Sequence, residues 1–169
     1  MKTKISTKLL SNLKARALNI RRNIIITSAK AGSVHIASAL SPVDILTALY
    51  FDILAIDPKH PNNPNRARFI LSKGHGGLGL YCVLAERGFI PEKLLSEYGQ
   101  DGSILAVHPV LESVPGIEAT TCSMGHGLPI GVGMALANRL RITPGLVVVL
   151  ISDGECNEGT IWESAFLAS

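Results

Sequence analysis

The chain has 169 residues, 47% of them hydrophobic, 17% charged and only 5% aromatic. That is enough for one domain with a real core, and the balance excludes a disordered or fibrous protein. The net charge of +3 is spread along the sequence without a dense basic run interleaved with aromatics, which argues against a nucleic-acid binder.

In chain order, apolar Leu9, Leu10, Leu13, Ala17, Ile20 and Ile24 recur at helical spacing and predict an amphipathic helix from Ser6 to about Ala29. The segment from Gly32 to Ser38 should interrupt it. Ser41-Pro42 opens a second helix, Val43 to Phe51, apolar on most sides and expected to be buried. The Pro- and Asn-rich residues 57–65 predict a loop. Arg68 to Leu71 is a short strand candidate, and Gly74-His75-Gly76-Gly77 a turn into a helix that ends at Gly88. Pro91-Glu92 opens a short helix to Tyr98, and 100–116 is irregular. Met124 to Leu140 predicts a Gly- and Ala-rich helix. Leu146 to Ile151, an unbroken apolar run, predicts a strand buried in a parallel sheet. Ser152-Asp153-Gly154 ends it, and Gly159 to Ser169 starts a last helix.

Helices alternating with short apolar strands imply an α/β layered fold over a single domain, residues 1–169. Two strands are few for a self-sufficient sheet, and the pattern stops in mid-helix at Ser169, so the domain reads as truncated and incomplete at its carboxyl end. The three cysteines, Cys82, Cys122 and Cys156, are odd in number and contain no Cys-x-x-Cys, which fits neither a disulfide framework nor a zinc ribbon and suits a reducing cytoplasm. The amino terminus lacks the apolar core of a signal peptide, and no later stretch is expected to reach membrane-spanning length. A cytoplasmic protein without membrane contact is the expectation.

The chemistry concentrates where the last strand ends. In open α/β sheets, ligands bind beyond the carboxyl ends of strands. Asp153 sits there as a hard carboxylate of the kind Mg2+ takes together with phosphate oxygens, and Gly154 lets the backbone approach a phosphate. The other reading, equally open on these residues, is that Asp153 caps the next helix. No two of the five histidines stand at His-x3-His spacing, against a zinc site, and the cysteines read as buried apolar groups.

Ser152-Asp153-Gly154 followed by Glu158-Gly159 and Glu163 resembles the first half of the thiamine-diphosphate signature, which opens with Gly-Asp-Gly and closes with an Asn pair. Three more stretches are similar to the transketolase family, in order. They are Gly32-Ser33-Val34-His35-Ile36-Ala37-Ser38-Ala39-Leu40-Ser41, then Phe69-Ile70-Leu71-Ser72-Lys73-Gly74-His75-Gly76, then His108-Pro109 with Pro115-Gly116-Ile117-Glu118 and Thr120 through Gly127. The resemblance covers nearly the whole chain and is nearest in spacing to split transketolases, whose two halves are separate polypeptides.

The resemblance implies a thiamine-diphosphate-binding, doubly wound parallel sheet with flanking helices, and a transferase subunit that moves a two-carbon ketol unit between sugar phosphates or related sugars. It implies Asp153 as a ligand of Mg2+ or another divalent cation, Gly154 and His75 on the diphosphate, and Cys122, Ser123 and Met124 lining the cofactor. His35 and His108 would flank the reactive carbon and move substrate protons, and Glu158 would sit behind the metal turn and join a carboxylate network reaching a partner chain. It also implies a carboxyl-terminal, pyrimidine-binding partner subunit in a homo- or hetero-oligomer, to which the glutamate that activates the aminopyrimidine belongs. Ser152, Cys122 and Val34 stand where the family has Gly. Two alternatives accompany the reading: a non-catalytic or truncated homologue that keeps the fold or an assembly role, and another thiamine-diphosphate enzyme, similar to deoxyxylulose-phosphate synthase or the 2-oxoacid dehydrogenases. The three separate histidine segments favour transketolase over the second.

Overall fold

The computed structural model describes residues 6–32 and 35–169. Val34, one of the departures from the family pattern, lies outside the described residues, as does Ser33.

The first helix, α1 (Thr7–Ala31), starts where the Ser6 hydroxyl accepts the Leu9 amide at 3.1 Å. Its buried stripe is Ala17, Ile20, Ile24, Thr27 and Ser28, so the predicted apolar face is right in its second half, whereas Leu10 is exposed. The expected interruption is shorter than the sequence suggests, because α2 (Ile36–Leu40) begins directly after His35. Next, α3 (Val43–Ala48) runs on into a π-helical turn at Leu49–Ile53.

Together Ile36–Ile53 make an 18-residue run, helical on both sides of the Ser41-Pro42 turn, of mean hydropathy 1.4, long and apolar enough by length and composition to cross a membrane. This corrects the expectation that nothing reaches that length. The run is 33% buried, and Val43, Leu46 and Tyr50 belong to the core cluster with Ile20 and Ile24 of α1. Asp44, on the same run, pairs with Arg21 of α1 at 2.7 Å. We therefore read it as part of the packed fold.

Among the described residues the sheet has two strands, β1 (Arg68–Leu71) and β2 (Val147–Leu150), parallel and in register from Arg68 opposite Val147 to Leu71 opposite Leu150. Alternation along β1 serves two faces. Phe69 and Leu71 join the core cluster with Ile20, Leu46 and Leu78. On the other face, Gly131 of α5 (Gly127–Arg141) lies against Val147, Val149 and Ile70. Helices therefore flank both faces, as a doubly wound sheet requires. The link between the strands carries α4 (Gly77–Arg87), buried from Gly77 to Leu84, a 3-10 turn at Glu92–Glu97 and the irregular residues 100–121. Arg87 of α4 donates to the carbonyls of Tyr50 at 3.0 Å and Ile56 at 3.1 Å, and Arg66 pairs with Glu118, so the irregular segments are tied to regular ones.

One expectation fails in degree. All four residues of β2 are half-buried rather than buried. Val147 and Val149 line an open apolar groove of about 450 Å³ with Leu128, Leu136 and Leu167, and among the described residues no further strand pairs with β2. The last helix, α6 (Gly159–Ala168), leaves Phe166 exposed and brings exposed Leu167 to this groove.

Candidate active site

Because β1 and β2 are parallel and in register, the segments leaving their carboxyl ends emerge at one edge. From β1 come Ser72-Lys73-Gly74-His75, and from β2 come Ile151-Ser152-Asp153-Gly154. The Ser72 amide still donates to the Leu150 carbonyl at 2.9 Å, so the two segments start side by side. Such an edge is where open α/β sheets bind ligands.

Three of the five histidines converge, each from a different segment. His35 precedes α2, His75 lies in the 3-10 turn Gly74–Gly76, and His108 comes from the irregular link. The ring of His35 lies 5.8 Å from that of His75 and 5.8 Å from that of His108, centroid to centroid, tilted by 56° and 66°. Burial holds the His75 imidazole below its ordinary value of 6.5, with further lowering by the Lys73 cation and then by His35 and His108; Glu155 opposes the shift. Burial likewise lowers His108, with a contribution from His35. Both rings are therefore predominantly neutral at pH 7, each offering one N–H donor and one nitrogen acceptor. The remaining histidines are engaged elsewhere: His60 with Asp57 at 2.8 Å on the exposed loop, and His126 with the Met124 carbonyl at 2.9 Å.

The turn after β2 presents Asp153 to solvent in helical conformation, at the start of a 3-10 turn, Gly154–Asn157, that precedes α6. Its side chain makes no capping hydrogen bond, which removes the ground for reading it as a cap. Space over Gly154 is open, since a Cβ there would meet nothing within 4 Å. Among the described residues no three His, Cys, Asp or Glu side chains form a metal cluster. A lone exposed carboxylate suits Mg2+, which binds through one or two carboxylates and completes its shell with phosphate oxygens and water.

Lys73 was not singled out by sequence reasoning. It is 8% exposed, and its ammonium donates to the Ser41 hydroxyl at 3.0 Å. Burial lowers its pKa, against the opposing pull of Asp153 and Glu155. A buried cation, neutral imidazoles and an open glycine turn make a donor-rich surface that fits a diphosphate, with Asp153 available to its counter-ion. The signal for Lys73 was its place between a strand end and Gly74-His75.

The loop before α5 closes the edge. Its start is set by Gly74, whose Cβ, if present, would lie 1.3 Å from the Thr121 carbonyl oxygen, so only glycine permits this approach. Thr121 is buried, and its hydroxyl has no hydrogen-bond partner among the described residues. Cys122, Ser123 and Met124 follow, all exposed. Gly125 turns the chain at φ 80°, and α5 begins only at Gly127 rather than at the expected Met124. Glu158 is exposed and packs beside Gly125, while the carboxylate buried behind the Asp153 turn is Glu155, 0% exposed, which sequence reasoning passed over. A charged residue in a turn reads as solvated, and only the converging segments bury it.

Residues 13–169 match the family described as transketolase, thiamine diphosphate binding domain. The chain is 45% identical over 158 residues to one subunit of the apulose-4-phosphate transketolase of Actinobacillus succinogenes, a match covering 93% of this chain and 57% of that protein. It is 41% identical over 157 residues to the 6-deoxy-6-sulfo-D-fructose transketolase subunit SqwG of a Clostridium species, again over 93% of this chain and 57% of the relative. The chain thus spans little more than half the length of these relatives. Among solved structures, transketolase from Leishmania mexicana superposes with a TM-score of 0.84 at 26% identity, over 92% of this chain and 25% of that one. Transketolase from Campylobacter jejuni does so with 0.84 at 29% identity, over 92% and 26%.

Proposed function

This chain belongs to the transketolase family, as part of its thiamine diphosphate binding domain, and from that premise we propose that it serves a thiamine-diphosphate- and Mg2+-dependent transfer of a two-carbon ketol unit between sugar phosphates or related acidic sugars. The observation that carries the reading is the convergence of His35, His75 and His108 at the strand edge that also bears Asp153. Each comes from one of the family-like segments, and none is adjacent to another in sequence.

In this reading Asp153 holds the divalent cation, and Gly154, Lys73 and His75 receive the diphosphate. The exposed Cys122-Ser123-Met124 loop lines the cofactor. Thiamine diphosphate, when bound, supplies the nucleophilic carbon and electron sink of ketol transfer. The protein's share is position and proton movement. His35 and His108 stand within one ring's reach of each other and take up or release the hydroxyl protons of the sugar, a role worth about 10²–10⁴ in rate for one positioned acid or base. Neutral His108 begins as a proton acceptor; the depressed basicity keeps it free at pH 7.

Two named relatives are subunits, which supports a hetero-oligomer in which a partner subunit binds the pyrimidine side. Glu158, exposed beside Gly125, is the carboxylate this reading assigns to that partner contact. The test is a coupled assay of the full-length protein with its partner subunit, ketose phosphate donor and aldose acceptor. Ketol transfer that needs both thiamine diphosphate and Mg2+, and falls by about 10²-fold or more in His108→Ala, is expected. Consumption of pyruvate in place of the ketose donor would contradict it.

A further inference from the structure

The buried carboxylate of Glu155 joins the three segments that form the edge. Its Oε1 accepts the Ser72 hydroxyl and the Gly125 amide, the latter at 2.7 Å, and its Oε2 accepts the Ser152 amide at 3.1 Å. Ser72 Oγ in turn accepts the Gly127 amide at 3.1 Å, and Ser152 Oγ accepts the Glu155 amide at 3.3 Å. Ser72 immediately precedes Lys73-Gly74-His75; Gly125 closes the Cys122–Met124 loop; Ser152 immediately precedes Asp153-Gly154. One side chain, fully out of solvent, therefore touches the root of every segment assigned to the cofactor or the metal.

We propose that Glu155 is a positioning residue that fixes the spacing between the Asp153 turn, the Cys122–Gly125 loop and the Lys73–His75 turn. It has no access to the reacting atoms and holds no ligand itself. A buried carboxylate is tolerated here because three donors satisfy it and Lys73 supplies a nearby cation. The inference rests on the cofactor site proposed above. It adds a residue that the thiamine-diphosphate signature, as read from Asp153, Gly154 and Glu158, does not include.

Glu155→Gln separates the role from bulk stability. Glutamine has the same shape but only one acceptor oxygen, so its amide nitrogen must face either the Gly125 or the Ser152 N–H, donor against donor. In the full-length protein with its partner, we expect a fold retained by circular dichroism and faster amide exchange at Gly125 and Ser152. The apparent Mg2+ and thiamine diphosphate affinities should weaken by about 10- to 100-fold, the usual scale for losing an outer-shell support. Because His35 and His108 are not held by Glu155, kcat at saturating cofactor should stay near the wild-type value while the cofactor KM rises. Should Glu155→Gln fail to fold, Ser72→Ala, which deletes one donor and keeps the carboxylate, should show the same split in smaller measure. Unchanged affinity and unchanged exchange in a folded variant would overturn the proposal. Failure of the wild-type protein to bind cofactor would count against the function proposed above instead, and the exchange comparison would still decide whether Glu155 clamps the segments.

Discussion

Gly74 and the Thr121 carbonyl are packed so closely that a Cβ on Gly74 would fall 1.3 Å from the oxygen. No rotamer change relieves a contact with backbone, so the loop from Thr121 must move if Gly74 gains a side chain. Gly74→Ala should cost about 1–3 kcal/mol of stability and displace Cys122–Met124. The check is a denaturant titration alongside cofactor titration; a variant with wild-type midpoint and affinity would show that the loop is not seated on Gly74.

The low basicity of His75 and His108 fixes a sign for pH dependence. Their folded-state values lie below the ordinary 6.5, so the unfolded chain takes up protons first as pH falls. The neutral rings therefore add stability that is fully present above about 6.5 and lost as pH drops through the folded-state values. Thermal unfolding between pH 7.5 and 5 should show Tm falling toward acid, and less steeply in His108→Asn.

Lys73 contributes to the His75 shift after burial does. Lys73→Met should raise the His75 pKa part of the way toward 6.5, read from its ring proton in an NMR titration. A His75 value that stays put or falls would mean that Lys73 does not project its charge onto the ring.

The α5 helix ends at Ile142 with φ 56°, a left-handed residue with a β-branched, 91% exposed side chain. That conformation strains a β-branched residue, and asparagine adopts it more readily. Ile142→Asn should stabilise the protein by about 0.5–1 kcal/mol, with no effect on cofactor binding. A lower unfolding midpoint would contradict it.

Much of this was legible in the residues. The Arg68–Leu71 strand and the parallel pairing of β1 with β2 follow from apolar runs bounded by turn residues, and the three histidines that converge are the three with family-like surroundings. What was not legible depends on tertiary closure. The start of α5 slips to Gly127 because the Gly125 amide is engaged by Glu155. Lys73 and Glu155 become buried only where three segments meet, which a local pattern of charge cannot announce. The break read from Gly32 to Ser38 is too long, since α2 already spans Ile36–Leu40, whereas the helix start read at Ser41-Pro42 stands: Pro42 caps α3, where its missing N–H costs nothing.

The central claim is that the Asp153 turn holds a cation-bound diphosphate. Calorimetric titration of thiamine diphosphate into the full-length protein and its partner, with and without Mg2+, addresses it most directly. Binding that requires Mg2+ and disappears in Asp153→Ala is the predicted result. Metal-independent binding, or the same affinity in Asp153→Ala, would contradict the assignment.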